Sequence, residues 1–181
     1  MKRETMVIVF FFIIVALVMT YNCQTWENFN NLGFVKETEL KKLLRIARDN
    51  FAEAGIKYGI YNKTLKSAME YKDIGPYDNT AELFIFDSDI DKIERIDWGN
   101  SIKLYKNQYD YKLFFIDARP AIINNQKMPW NFPFVNIHVL KKNGSMYTTK
   151  DGSFLSEDEI FPLKQYQYGD LLLMGPNTIN Y

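Results

Sequence analysis

Three groups of carboxylates and one histidine are the residues of this chain whose types and spacing could do chemistry. Asp78, Thr80 and Glu82 follow Gly75-Pro76 at alternate positions, and where a turn runs into a strand, alternate side chains point the same way. Two carboxylates and a hydroxyl on one face approach what a metal-dependent phosphoryl-transfer site needs, with threonine standing at the middle position. Asp87, Asp89 and Asp91 also alternate and could converge on a divalent cation. Neither a calcium-loop glycine nor a distal glutamate follows them, so acids opening a short helix capped by Asp87 or Ser88 is the favoured reading. Asp117 ends the run YKLFFID and more often would simply start the turn Asp117-Ala118-Arg119-Pro120. His138 is the single histidine and lies in a strand-like run from Phe134 to Val139. A histidine-rich zinc site is thereby excluded, and a Ser-His-Asp triad would have to use this one residue. No phosphate-cradling glycine loop, GxSxG elbow or CxxC pair is present.

Composition narrows the classes further. Lysine plus arginine balance aspartate plus glutamate at 22 each, so no global field draws the chain to a nucleic acid polymer. Cys23 is the single cysteine, which excludes an intrachain disulfide framework and a cysteine metal knuckle. An intermolecular disulfide, an acyl chain and a plain thiol remain open for it. The 12 tyrosines and 14 phenylalanines suit a packed, sheet-containing domain.

The elements that must position these residues can be read from periodicity. Leu40, Leu43, Leu44, Ala47, Phe51 and Ala54 recur at helical spacing between Glu37 and Ala54 and predict an amphipathic helix ending at Gly55. Ile56–Tyr61 predicts a short strand or tight connection, and Thr64–Met69 a helical turn. Ala81–Phe86, Tyr111–Ile116 and Phe134–Leu140 predict strands, with Pro120, Pro129 and Pro133 confining the segment between the last two to a loop. Lys141–Ser145 reads as a hairpin turn, while Phe161–Lys164 and Asp170–Met174 complete a sheet-rich second half. The order predicts an α+β domain: a mixed sheet with flanking helices.

Ahead of that domain, Met6–Thr20 carries no charge across 15 residues and follows Lys2 and Arg3. It reads as a targeting element, between the length of a signal-peptide core and the ~20 residues of a full span. A single transmembrane helix acting as an uncleaved signal-anchor is the favoured expectation, with the basic N-terminus cytosolic. Residues 1–26 would then be cytosolic tip, anchor and short stem, and 27–181 one lumenal domain. Cleavage would instead give a secreted domain. Asn62-Lys63-Thr64 and Asn143-Gly144-Ser145 are potential glycosylation sequons that fit either placement.

Several landmarks appear in a familiar order: Thr64-Leu65-Lys66-Ser67-Ala68, Ile74-Gly75-Pro76-Tyr77-Asp78, Phe132-Pro133-Phe134-Val135-Asn136-Ile137, and Ile160-Phe161-Pro162-Leu163. Together they resemble the LicD and fukutin family over roughly residues 36–181. The resemblance implies a nucleotidyltransferase-like scaffold and type II placement in the Golgi or endoplasmic reticulum membrane. It also implies transfer of a phospho-alcohol, such as ribitol phosphate, from a CDP-linked donor to a glycan acceptor. Asp78 and Glu82 match the first and last acids of the family's metal motif, so in an active member they would be catalytic and hold magnesium or manganese. Ser67 and Lys66 would lie near the phosphates. Departures accompany the match: Thr80 and Asn136 stand at carboxylate positions, Lys63 and Ser67 replace a glycine pair, and Glu70 replaces an arginine. Fewer anionic ligands weaken cation binding, so the departures imply a member that has lost turnover. An active transferase, a non-enzymatic glycan- or partner-binding scaffold, and a secreted binding domain stay open.

Overall fold

In the computed structural model, residues 39–76, 78–108, 110–149 and 152–178 are described. Helix α1 runs over 39–53 and turns Leu40, Leu43, Leu44, Ala47 and Phe51 wholly inward, as their spacing predicts. There follow β1 (Tyr58–Ile60), α2 (Asn62–Glu70), β2 (Thr80–Phe86), a 3-10 turn (Asp87–Asp89), α3 (Ile90–Arg95), β3 (Ile102–Lys106), β4 (Asp110–Ile123) and β5 (Gln126–Asn143). The chain closes with β6 (Met146–Thr148), β7 (Phe154–Ser156), α4 (Glu157–Ile160), β8 (Lys164–Tyr168) and β9 (Leu171–Gly175).

The main sheet runs β1-β2-β5-β4-β3, with β6 and β7 continuing from the far end of β5, and β8-β9 forms a separate ribbon. Only β2 and β5 pair in parallel among the described strands. The sheet is therefore mixed and the domain α+β, as periodicity predicts. The apolar segment expected to enter a membrane lies outside the described residues; among these, no helix is long and apolar enough to cross one.

Alternation along the strands divides the core. Ala81, Leu83 and Ile85 of β2, Val135, Ile137 and Val139 of β5, and Tyr111 and Leu113 of β4 share one cluster with α1, α2 and β9. The intervening residues Phe84, Phe86 and Leu140 meet Tyr61, Tyr147 and Ile160 in a second, smaller cluster. Fully buried side chains of this size stabilise by about 1.5–3 kcal/mol each, so two covered faces anchor the strand register from both sides.

Three expectations need correction. Pro120, Pro129 and Pro133 do not confine a loop: β4 and β5 continue through them as a hairpin arm. Beyond Phe115 and Phe134 the arm has no third strand, because β3 stops pairing at Phe115 and β2 at Phe134. A proline whose missing N–H faces outward there loses no ladder bond. Irregular register between Phe114 and Arg119, and again between Pro120 and Ile122, absorbs the rest. Asn124 and Asn125 close the arm with φ of 49° and 61°, the left-handed pair that a two-residue hairpin turn requires. Second, neither Asp87 nor Ser88 caps α3; the buried carboxylate is Asp89, which accepts from Lys92 Nζ at 2.6 Å and from the Lys57 N–H at 3.4 Å. Third, Phe161–Leu163 link α4 to β8 without joining a strand.

Gly59 sits where β1 crosses the Phe84 ring, and an added Cβ would fall inside that ring's van der Waals envelope. Gly59→Ala is expected to destabilise the domain by about 1–3 kcal/mol by overpacking. Urea unfolding would measure the loss, and Phe84→Leu in the same chain should return part of it.

Candidate functional site

The candidate site lies on the sheet face opposite α1, where even-numbered residues of β2, β5 and β4 form rows. Register places Glu82 beside Asn136 and Asn136 beside Lys112; the adjacent row holds Phe84, His138 and Asp110. The start of α2 fixes the edge of this face. Thr64, fully buried, accepts the Glu82 N–H on its hydroxyl at 2.7 Å, and Tyr61 donates its N–H to the Glu82 carbonyl at 2.9 Å. Tyr61 also meets the His138 ring edge-on, centroids 5.3 Å apart.

A directed chain of contacts crosses the strands. Lys112 Nζ donates to Asn136 Oδ1 at 3.0 Å, which turns the amide nitrogen of Asn136 toward His138 Nε2, also 3.0 Å away. An amide N–H can only donate, so this arrangement assigns Nε2 as acceptor and puts the imidazole proton on Nδ1. Nδ1 faces Asp110 Oδ1 at 3.5 Å, and Glu82 Oε2 stands 3.9 Å from Nε2. These two carboxylate oxygens are shielded from solvent and have no hydrogen-bond partner of their own. Lys112 is further held over two rings, 4.5 Å from the Phe134 centroid and 4.7 Å from that of Trp130.

The other sequence-derived candidates divide. Ser67 and Asp78 are brought together: the Ser67 hydroxyl donates to Asp78 Oδ2, which also takes the Gly75 N–H at 3.3 Å. Asp78 precedes the first paired residue of β2, and this carboxylate is engaged with α2 and its own turn. A Cβ at Gly75 would stand 2.7 Å from Ser67 Oγ, so the close approach there needs glycine. Lys66 instead faces outward on α2 and pairs with Glu70 at 3.8 Å. Asn62 and Asn143 are both exposed. Lys112, Asp110 and His138 are the members of the site that spacing did not single out for it; the one available signal was a lone histidine in a strand, two residues past Asn136.

Residues 55–178 match the family model described as "LicD/FKTN/FKRP, nucleotidyltransferase domain". The chain belongs to that family. The match begins at Gly55, after α1, and takes in every residue of the polar face. No curated protein matches the chain.

Family membership raises the question of a divalent cation, and the residues here do not fit one. Among the described residues, no three of histidine, cysteine, aspartate and glutamate are grouped so as to hold a metal ion. Asp78 Oδ2 accepts from both Ser67 and Gly75, and the amide at 136 has its oxygen on Lys112 and its nitrogen on His138. Glu82 Oε2 is left as a carboxylate oxygen facing the row without a donor.

On the other face of the same strands, a concavity of 440 Å³ is lined by residues including Lys106, Tyr111, Val139, Thr148 and Thr149. Burial, and then the hydrogen bond from its hydroxyl to Glu94 at 2.5 Å, push the Tyr111 phenol well above its usual range. Lys106, followed by that same hydroxyl, holds the Glu94 carboxyl below the ordinary range.

The Ser67–Asp78 contact ties α2 to the turn before β2. Ser67→Ala and Asp78→Asn should each cost about 1–3 kcal/mol, and the double variant less than their sum. A double-mutant cycle read by chemical denaturation checks this; strict additivity would mean that the two groups do not interact.

Proposed function

We propose that this is a lumenal LicD-type domain which serves glycan modification by phospho-alcohol transfer without running metal-dependent transfer itself. In this reading a single N-terminal helix tethers it to the Golgi or endoplasmic reticulum membrane. The polar face recognises a glycan or an enzyme partner, in a setting where ribitol phosphate or a related group passes from a CDP-linked donor to a glycan acceptor. The observation that carries the reading is the engagement of Asn136 by Lys112 and His138, where the family's later carboxylate would stand. A neutral amide offers a cation no charge, and its oxygen already accepts from an ammonium that a cation would have to sit beside. Asp78, whose Oδ2 accepts from Ser67 and Gly75, is drawn toward α2 and its own turn, which supports the same reading.

One observation favours an altered but active transferase. Glu82 Oε2 and Asp110 Oδ1 are buried without partners on either side of His138, and buried acceptors of this kind call for a proton donor or a cation. If such an ion is magnesium or manganese, nucleotide binding should require it.

Calorimetric titration of the full chain in detergent with CDP-ribitol and with CTP, each with and without manganese, separates the two. No manganese-dependent binding to a folded sample is the expected result. Manganese-dependent binding that Glu82→Gln abolishes would establish the transferase instead. Lumenal placement has its own test: with Asn62 and Asn143 both exposed, the chain made in a secretory host should shift in mass on glycosidase treatment, and Asn62→Gln with Asn143→Gln should remove the shift.

A further inference from the structure

The site does have a cation near its centre, carried by the chain itself. Lys112 is paired in register with Asn136 across β4 and β5, and Asn136 in turn with Glu82 across β5 and β2. Its ammonium lies 3.0 Å from Asn136 Oδ1 and over the rings of Phe134 and Trp130. Both rings belong to β5 and its arm, so the strand that offers the amide oxygen also builds the seat for the charge. In the same rows stand two carboxylates, Glu82 and Asp110, with His138 between them.

We propose that Lys112 is the resident cation of this site: a tethered ammonium that takes the oxygen ligand a divalent ion would need and excludes that ion by like charge. The inference rests on the metal-free reading above and adds the residue that enforces it. A divalent ion approaching Asn136 Oδ1 must displace an ammonium already seated there and then sit beside it, which Coulomb repulsion opposes most strongly where solvent is thin. Replacing the amide by a carboxylate does not by itself open the site, because a carboxylate at 136 would pair with Lys112. Only the two changes together, Asn136→Asp with Lys112→Met, remove the resident charge and supply the missing anionic ligand next to Glu82.

The test is the electron paramagnetic resonance signal of free manganese titrated with the full chain and its variants, each first shown to melt cooperatively. The wild-type chain and Asn136→Asp should leave the signal unchanged. The double variant should lower it, with affinity raised by at least about tenfold, and adding Glu82→Gln should reverse the gain. Lys112→Gln in place of Lys112→Met provides a second version should one fail to fold. Equal gain in Asn136→Asp alone, or no gain in either folded double variant, overturns the assignment of Lys112 while leaving the metal-free reading intact. Manganese bound by the wild-type chain and lost in Glu82→Gln overturns both.

Discussion

The parallel pairing of β2 with β5 is the constraint on which the rest of this domain depends. Parallel neighbours cannot be joined by a tight turn, so the chain leaves β2 at Phe86, passes through α3, β3 and β4, and returns antiparallel to β4 before it can lie beside β2. The register Leu83 to Ile137 puts the odd-numbered residues of both strands on the α1 core. A slip of one residue would turn all of them outward. Once that register holds, Glu82, Asn136 and His138 must share the opposite face, and β4 must contribute Asp110 and Lys112 to it.

That face changes character along its length. Toward β6, β7 and α4 it is apolar, where Phe84, Phe86 and Leu140 are closed over by Tyr147 and Ile160. Toward the hairpin arm it is aromatic and cationic, with Lys112 over Phe134 and Trp130 and Arg119 over Phe132. The polar row lies between them. Ionic groups in such a half-buried strip are costly unless each has a partner, and the in-register pair of Lys112 with Asn136 provides one at low ordering cost because the backbone has already set them opposite one another, whereas Asp110 Oδ1 stands 3.5 Å from His138 Nδ1 without a hydrogen bond.

The family scaffold and the family chemistry are separable here. A fold fixes where side chains project and leaves open what they are. In this chain Ser67 meets Asp78, and Glu82 faces position 136. With an amide at 136, a lysine paired to it and a histidine two residues on, these positions make a hydrogen-bonded chain flanked by Glu82 and Asp110.

Local pattern was enough for most of the elements. The stripe Leu40, Leu43, Leu44, Ala47, Phe51 made α1, and the β-favouring runs around Leu83, Leu113 and Ile137 made the central strands. It failed at Pro120, Pro129 and Pro133, because proline forbids a strand only where a neighbour needs its N–H, and whether a neighbour exists is a property of the sheet; Asn124-Asn125 was the turn signal that could have shown the arm. In the polar row, spacing singled out Glu82, and the resemblance pointed to Asn136; Asp78 and Ser67, also singled out, meet each other at α2 instead. The sequence by itself determined which residues alternate with the core and hence which could be polar neighbours on one face. Only the tertiary structure decided that Lys112, Asn136, His138 and Asp110 form one chain, since residues so far apart in sequence meet through strand order and register, which are set by burial on the opposite face.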